Sequence, residues 1–158
     1  MMRISSLLLL LSITLPGFLG AMDFSIVNKR YLYKDDVSAA GMAEMMEKED
    51  PLVVDIRLEE EWKDTGIVPG SIPITFFTKN GLYDIKAFMK ELAPLAGSTD
   101  RKIILICRTG TRSIRAANWV TYQGYPNVYN MKPGILKWIK EGRPVVPYPS
   151  SDHNRSVP

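Results

Sequence analysis

One cysteine, Cys107, and one histidine, His153, are all that this 158-residue chain has of the two side chains most used in nucleophilic and metal sites. A lone thiol closes no intramolecular disulfide, and a lone histidine in a polar tail leaves a His-rich zinc site or a Ser-His-Asp triad without its parts. Any catalysis must therefore work without histidine. Charge imbalance is lacking too. The 20 Lys+Arg stand against 17 Asp+Glu, and a net +3 argues for neither nucleic acid nor a membrane surface as a partner. What is present is ordinary: 46% hydrophobic residues, 23% charged residues and a mean hydropathy of -0.06. These values exclude a fully disordered, collagen-like or multi-spanning protein and leave room for one domain of roughly 100–150 residues.

Residues 1–21, MMRISSLLLLLSITLPGFLGA, place Arg3 before an apolar run from Ile4 to Leu15, then Pro16-Gly17, then small residues near Ala21. This is the layout of a secretory signal peptide, although Leu19 fits poorly three positions before the end of the motif. The alternative is a retained anchor facing the periplasm, which Pro16-Gly17 would interrupt. Cleavage removes Arg3 alone and leaves a net +2, from 19 Lys+Arg against 17 Asp+Glu. The mature protein is then expected in the periplasm or outside the cell, where a free thiol calls for a function unless it is buried deep in the core. A domain over 22–146 and a flexible Pro/Ser-rich tail over 147–158 complete the expected organisation, with fraying beyond Pro144 and His153 solvated.

Between Asp23 and Pro144 short apolar runs alternate with helical patterns, which predicts one α/β domain. A helix over 38–48 sets Ala39, Met42, Met45 and Met46 on one face, and Asp50-Pro51 stops it. The runs Leu52–Ile56 and Lys102–Cys107 read as strands buried on both faces of a parallel sheet. A short strand is expected near Ile72–Thr75 and a turn at Lys79-Asn80-Gly81. Asp84 can cap a helix whose Ile85, Phe88, Met89 and Leu92 follow helical spacing, with Pro94 and Gly97 ending it. A helix over 113–123 with Ala116, Trp119 and Val120 inward, a strand at 127–129, and a helix over 134–141 with Ile135, Trp138 and Ile139 inward follow.

The chemistry concentrates between the second buried strand and the helix after it. Cys107 closes the strand and Ser113 opens the helix, so Arg108-Thr109-Gly110-Thr111-Arg112 must turn sharply at the carboxyl edge of the sheet, where α/β folds place ligands. Unpaired N–H groups and the helix dipole favour an anion there. Such surroundings, with adjacent cations, lower a cysteine pKa from about 8.5 to roughly 3.5–7.5, so a thiolate at Cys107 is expected beside Arg108 and Arg112. Gly110 permits positive φ or close approach to a ligand, and Thr109 and Thr111 offer hydroxyl donors. A buried strand-end cysteine with two surface arginines is the bland alternative, and it leaves the Gly110 arrangement unexplained.

The motif CRTGTRS, preceded by VVDIR (Val53–Arg57) and VPGSI (Val68–Ile72) and followed by GYPNVYNMKPGILKWIKEGRPV (Gly124–Val145), resembles the rhodanese (sulfurtransferase) family in its exported single-domain form over roughly Tyr33–Val146. The resemblance implies a three-layer sandwich with a central, mainly parallel sheet flanked by helices. It implies that Cys107 accepts a sulfane sulfur as a persulfide, that the amides of Arg108 to Ser113 cradle it, and that Arg108 and Arg112 attract an anionic donor such as thiosulfate; a 3-mercaptopyruvate donor is disfavoured. The acceptor is cyanide or a thiol, or a sulfur-accepting protein. No metal or organic cofactor is implied, and a membrane is a partner only if the N-terminal segment is retained. Two departures stand out: Ile67 replaces a common histidine, and Lys132-Pro133-Gly134 replaces a common Gly-Gly pair.

Asp55 and Arg57, at the end of a central strand, are expected as a structural pair supporting the loop rather than as reacting groups. Glu59 to Glu61 are expected in a solvated turn or helix start. Trp62, Phe76, Phe77 and Tyr83 are expected in core or at a pocket mouth. Two other functions stay open: a non-catalytic persulfide carrier or binding module, and a cysteine phosphatase or arsenate reductase, whose loops are one residue longer than the four residues between Cys107 and Arg112. A redox-sensor thiol has no second cysteine to resolve it.

Overall fold

Leu52–Asp55 (β2) and Ile103–Ile106 (β4) are buried at every position and pair in parallel, with Val54 opposite Leu105. Continuous burial of β-branched and apolar residues on both faces is what a central parallel strand requires. The computed structural model describes residues 32–148 and adds Asp35–Val37 (β1), Ile72–Pro73 (β3) and Val128–Met131 (β5) in the order β1-β5-β4-β2-β3, with every pairing parallel. The segment 1–21 and His153 lie outside the described residues.

Helices cover both faces, and the two-residue period of the strands sorts the side chains between them. Ile103, Leu105 and Cys107 of one parity, with Leu52 and Val54, meet Phe88, Leu92 and Ala96 of Ile85–Ala96 (α3) and Ala116, Ala117 and Val120 of Arg112–Tyr122 (α4). Ile104 and Ile106, of the other parity, meet Ala39 and Met42 of Ala39–Glu49 (α1) and Ile135 and Trp138 of Ile135–Lys140 (α5). Glu59–Thr65 (α2) bridges β2 and β3 and buries Trp62. Thus the chain is an α/β fold with a central parallel sheet between helical layers. Local capping agrees with the sequence: Ser38 accepts from Gly41 N–H at 3.0 Å, and Asp84 accepts from Lys86 and Ala87 N–H at 2.9 and 3.1 Å.

Three expectations are corrected, and one strand had not been foreseen. Pro94 does not help to end α3; it lies on the exposed side of the last turn, while Leu92 and Ala96 keep the helix on the sheet as far as the Gly97 cap. Ile139 is exposed because α5 is only six residues long and its buried stripe is Ile135 and Trp138. Strand β1, three residues of sequence Asp-Asp-Val, has no apolar run to announce it and exists through pairing with Tyr129–Met131. The chain beyond Pro144 does not fray before Tyr148: Val146 exchanges two backbone hydrogen bonds with Ile67, each 2.9 Å, and the Tyr148 ring lies 5.1 Å from that of Trp62.

Leu105 is fully buried at the centre of this sandwich. Leu105→Ala is expected to cost about 2–5 kcal/mol, the range for a cavity in a packed core, read from the urea midpoint at constant slope. A loss below that range would mean that the sheet collapses around the gap.

Candidate active site

The loop Cys107–Thr111 leaves β4 and enters α4, and it is clamped from the side by α5. Ile135 N–H donates to the Cys107 carbonyl at 3.0 Å and Leu136 N–H to the Arg108 carbonyl at 3.2 Å. Amides that have no partner inside their own helix thus fix the backbone of the loop. Contact is so close that a Cβ on Gly134 would sit 2.5 Å from the Arg108 carbonyl carbon and oxygen and the Thr109 nitrogen, and the Gly134 φ of 88° is itself one that favours glycine. Gly110, with φ 80°, turns its N–H onto the sulfur, which accepts it at 3.1 Å.

Ser113, in the first turn of α4, puts its hydroxyl 3.3 Å from the Cys107 sulfur and 2.5 Å from the Asn130 side-chain oxygen. The Asn130 amide nitrogen in turn donates to Asp36 Oδ1 at 2.8 Å and to the Gly110 carbonyl at 3.2 Å. Burial pushes the Asp36 carboxyl up, but hydrogen bonds from Asn130 and Tyr33 and the charge and hydrogen bond of Lys132 outweigh it and hold the group below its ordinary value. Cys107, Ser113 and Asn130 are all 0% exposed.

Arg112 does not stand free toward a ligand. It makes a two-pronged ion pair with Glu61 of α2, at 2.8 and 2.6 Å. The Glu61 hydrogen bond, its charge and the charge of Asp55 hold the Arg112 guanidinium protonated against its own desolvation. The Glu61 carboxyl is pushed up by burial, yet the Arg112 hydrogen bonds, the Leu58 amide and the charges of Arg112 and Arg57 bring it below the ordinary carboxylate value. The expectation of a solvated Glu61 is therefore corrected: α2 presents this member of the Glu59–Glu61 run inward, to the loop arginine and the Leu58 amide.

Asp55 and Arg57 form a buried pair. Arg57 Nε donates to Oδ1 and Oδ2 of Asp55 at 2.9 and 3.0 Å, and Nη2 donates to Oδ2 at 2.8 Å. The rest of the guanidinium holds α2 by its end, through Thr65 Oγ1 at 2.7 Å and the carbonyls of Gly66 and Glu61 at 2.8 and 3.2 Å. No atom of the pair is placed on the sulfur; its geometry is that of a brace for α2.

Arg108, Thr109 and Thr111 are exposed at the loop tip, with the two threonine hydroxyls 3.1 Å apart. A surface cavity of about 390 Å³ opens beside them, lined by Thr111, Arg112, Arg115, Phe77, Lys79 and Leu58 among others. Of the four aromatics named above, Phe77 lines it, Trp62 and Phe76 are buried, and Tyr83 is partly exposed against Phe76 and Trp119. The sulfur lies sealed beneath the loop, with Gly110 and Ser113 hydrogen-bonded over it. Sequence reasoning missed Asn130, although a lone polar residue in the apolar run Val128–Met131 is a signal for a buried partner. Among the described residues no group of three His, Cys, Asp or Glu is assembled around a metal position.

Comparison with known proteins places this geometry. The rhodanese-like domain family matches residues 38–141. A sulfurtransferase of Allochromatium vinosum is 34% identical over 102 residues, covering 65% of this chain and 84% of that protein. A tRNA uridine(34) hydroxylase of Buchnera aphidicola is 32% identical over 111 residues, 68% of this chain, and the chain spans only 32% of its length. The crystal structure of a rhodanese-related protein from Thermoplasma volcanium superposes with a TM-score of 0.54 at 29% identity, covering 73% of this chain and all of that one.

The Glu61–Arg112 pair makes stability depend on pH. Because the folded carboxyl ionises below its unfolded value near 4.5, its contribution is complete above that value and is lost as pH falls through the lower folded one. Between neutral pH and about pH 3 the urea midpoint of the wild type is expected to fall further than that of Glu61→Gln. Equal falls would show that the pair adds no pH-linked stability.

Proposed function

The chain belongs to the rhodanese-like domain family, and from that premise we propose that it is a sulfurtransferase moving a sulfane sulfur from thiosulfate, or a similar anionic donor, to a thiophilic acceptor through a persulfide on Cys107. The observation that carries this reading is the placement of the lone thiol at the end of β4, with the Gly110 amide aimed at its sulfur and the Ser113 hydroxyl beside it. In the first step the ionised Cys107 sulfur attacks the outer sulfur of the donor. The new S–S bond forms as the donor's S–S bond breaks, and sulfite departs with the electron pair. In the second step cyanide or a thiolate attacks the outer sulfur of the persulfide, and Cys107 leaves as thiolate, so double-displacement kinetics follow. The Gly110 amide, which already faces the sulfur, stabilises its charge. Since the sulfur is sealed, the donor reaches it only when the cover made by Gly110 and the Ser113 hydroxyl opens.

Arg108 is the exposed cation of the loop; Arg112, held by Glu61, orients the first turn of α4 and contributes its field from a fixed position. An exported form, with residues 1–21 as a leader, would meet small anionic donors and thiols outside the cytoplasm. The four-residue spacing between Cys107 and Arg112 favours sulfur over phosphate, because a tetrahedral oxyanion needs a wider ring of amides.

Intact mass of the full chain tests the reading. Thiosulfate is expected to add about 32 Da at Cys107, cyanide to remove it as thiocyanate, and Cys107→Ser to show neither. Absence of the adduct on a folded protein would overturn the thiosulfate reading. Hydrolysis of an aryl phosphate in its place would move the site to the phosphatase class, and an adduct without turnover would make it a carrier.

A further inference from the structure

The hydrogens around Cys107 can be counted, and the count has one solution. Asn130 is fully buried and its side-chain nitrogen faces two acceptors, the Asp36 carboxylate at 2.8 Å and the Gly110 carbonyl at 3.2 Å. Turning the amide over would set its oxygen against both, so the nitrogen must stay there and both of its hydrogens are committed. The Asn130 oxygen can then only accept, and its partner at 2.5 Å is the Ser113 hydroxyl, which has a single hydrogen to give. That hydrogen cannot also point at the sulfur, 3.3 Å away. Toward Cys107, therefore, Ser113 offers a lone pair.

We propose that Asn130 is a positioning residue that holds the Ser113 hydrogen away from Cys107, so that in the resting protein the thiol donates to Ser113 and the hydroxyl turns to the sulfur only after ionisation. The proposal rests on Cys107 being the sulfur-transfer nucleophile for its place in the reaction, but not for its geometry. When the thiol ionises its proton leaves to water, no heavy-atom bond changes, and the Ser113 hydroxyl rotates from the Asn130 oxygen to the charged sulfur. Asp36 strengthens the hold: a carboxylate at the far end of the amide polarises it and makes its oxygen the better acceptor. The other charges that face the sulfur region are Arg108 on the loop, Arg112 with Glu61 on α4 and α2, Lys132 beside Asp36, and Asp55 with Arg57 after β2. None of these competes for the Ser113 hydrogen among the described contacts. The consequence is a nucleophile kept less reactive than its cradle alone would make it, with Asn130 setting the difference.

A double-mutant cycle on the full chain reads this directly. The rate of Cys107 alkylation by iodoacetamide at neutral pH, and the ultraviolet absorbance of its thiolate, are measured for the wild type, Asn130→Ala, Ser113→Ala and the double variant. Releasing the Ser113 hydrogen is expected to speed alkylation about tenfold in Asn130→Ala and to raise the thiolate absorbance, the effect of one hydrogen bond to a charged group. In the Ser113→Ala background the same substitution is expected to do nothing. An unchanged rate in Asn130→Ala, or an acceleration that persists without Ser113, overturns the proposal, since a general loosening of the loop would act with or without the hydroxyl. Should Asn130→Ala fail to fold, Asp36→Asn must show a smaller acceleration in the same direction, and no acceleration there overturns the proposal equally. Alkylation needs no sulfur donor, so failure of the persulfide experiment with an intact cycle would remove the sulfurtransferase reading and leave this one standing.

Discussion

Everything at the site depends on a guanidinium that no substrate is placed to touch. Arg57 is 1% exposed and Asp55 0%, so their charges are desolvated almost entirely, and the pair is tolerable only because the remaining donors of the guanidinium find Thr65, Gly66 and Glu61. A buried pair of this kind adds little net stability over an apolar filling, yet loss of one partner costs about 3–5 kcal/mol. Its effect here is placement. Two residues after the end of β2, the chain is bound to the far end of α2, and α2 thereby turns Glu61 toward Arg112. The first turn of α4, which carries Ser113, is thus anchored to β2 through two successive ion pairs.

The active-site loop is held from the other side by different means. Helix α5 lends two N–H groups to the carbonyls of Cys107 and Arg108, and Asn130 reaches the Gly110 carbonyl from β5. A bare Cα at Gly134 is what allows this approach, since any β-carbon would overlap the Arg108 carbonyl. The same stretch meets the loop a second time, since a β-carbon on Gly110 would lie 3.1 Å from the Lys132 Cα. With its carbonyls engaged from outside, the loop directs the Gly110 N–H inward at the sulfur. The sealed pocket around the thiol is therefore a product of its neighbours as much as of its own residues.

The sulfur lies covered by Gly110 and Ser113, while the side chains over it, Arg108, Thr109 and Thr111, are exposed on a backbone that α5 holds in place. The neighbouring cavity is bounded by Phe77 and Leu58, and cationic side chains surround its opening. Of these, Arg112 and Lys79 already have carboxylate partners in Glu61 and Glu60, so local charge is more balanced than the count of arginines suggests.

Continuous burial in Leu52–Asp55 and Ile103–Ile106, the caps at Ser38 and Asp84, and the loop from Cys107 to Ser113 were legible because each is a local pattern: an unbroken apolar run, a helix start, a turn at a sheet edge. Pro94, Ile139 and the segment after Pro144 were misread where packing overrode a local signal. Strand β1, the inward turn of Glu61 and the amide of Asn130 could not be read at all, because each takes its meaning from a partner far along the chain: Asp35–Val37 from Tyr129–Met131, Glu61 from Arg112, and Asn130 from Asp36, Gly110 and Ser113. By itself the sequence determined the layers, the sheet edge and the position of the lone thiol at that edge, since these follow from residue type and periodicity. Only the tertiary structure decided which carboxylate meets which arginine and which way a buried hydroxyl points, since both depend on where distant segments of the chain are brought together.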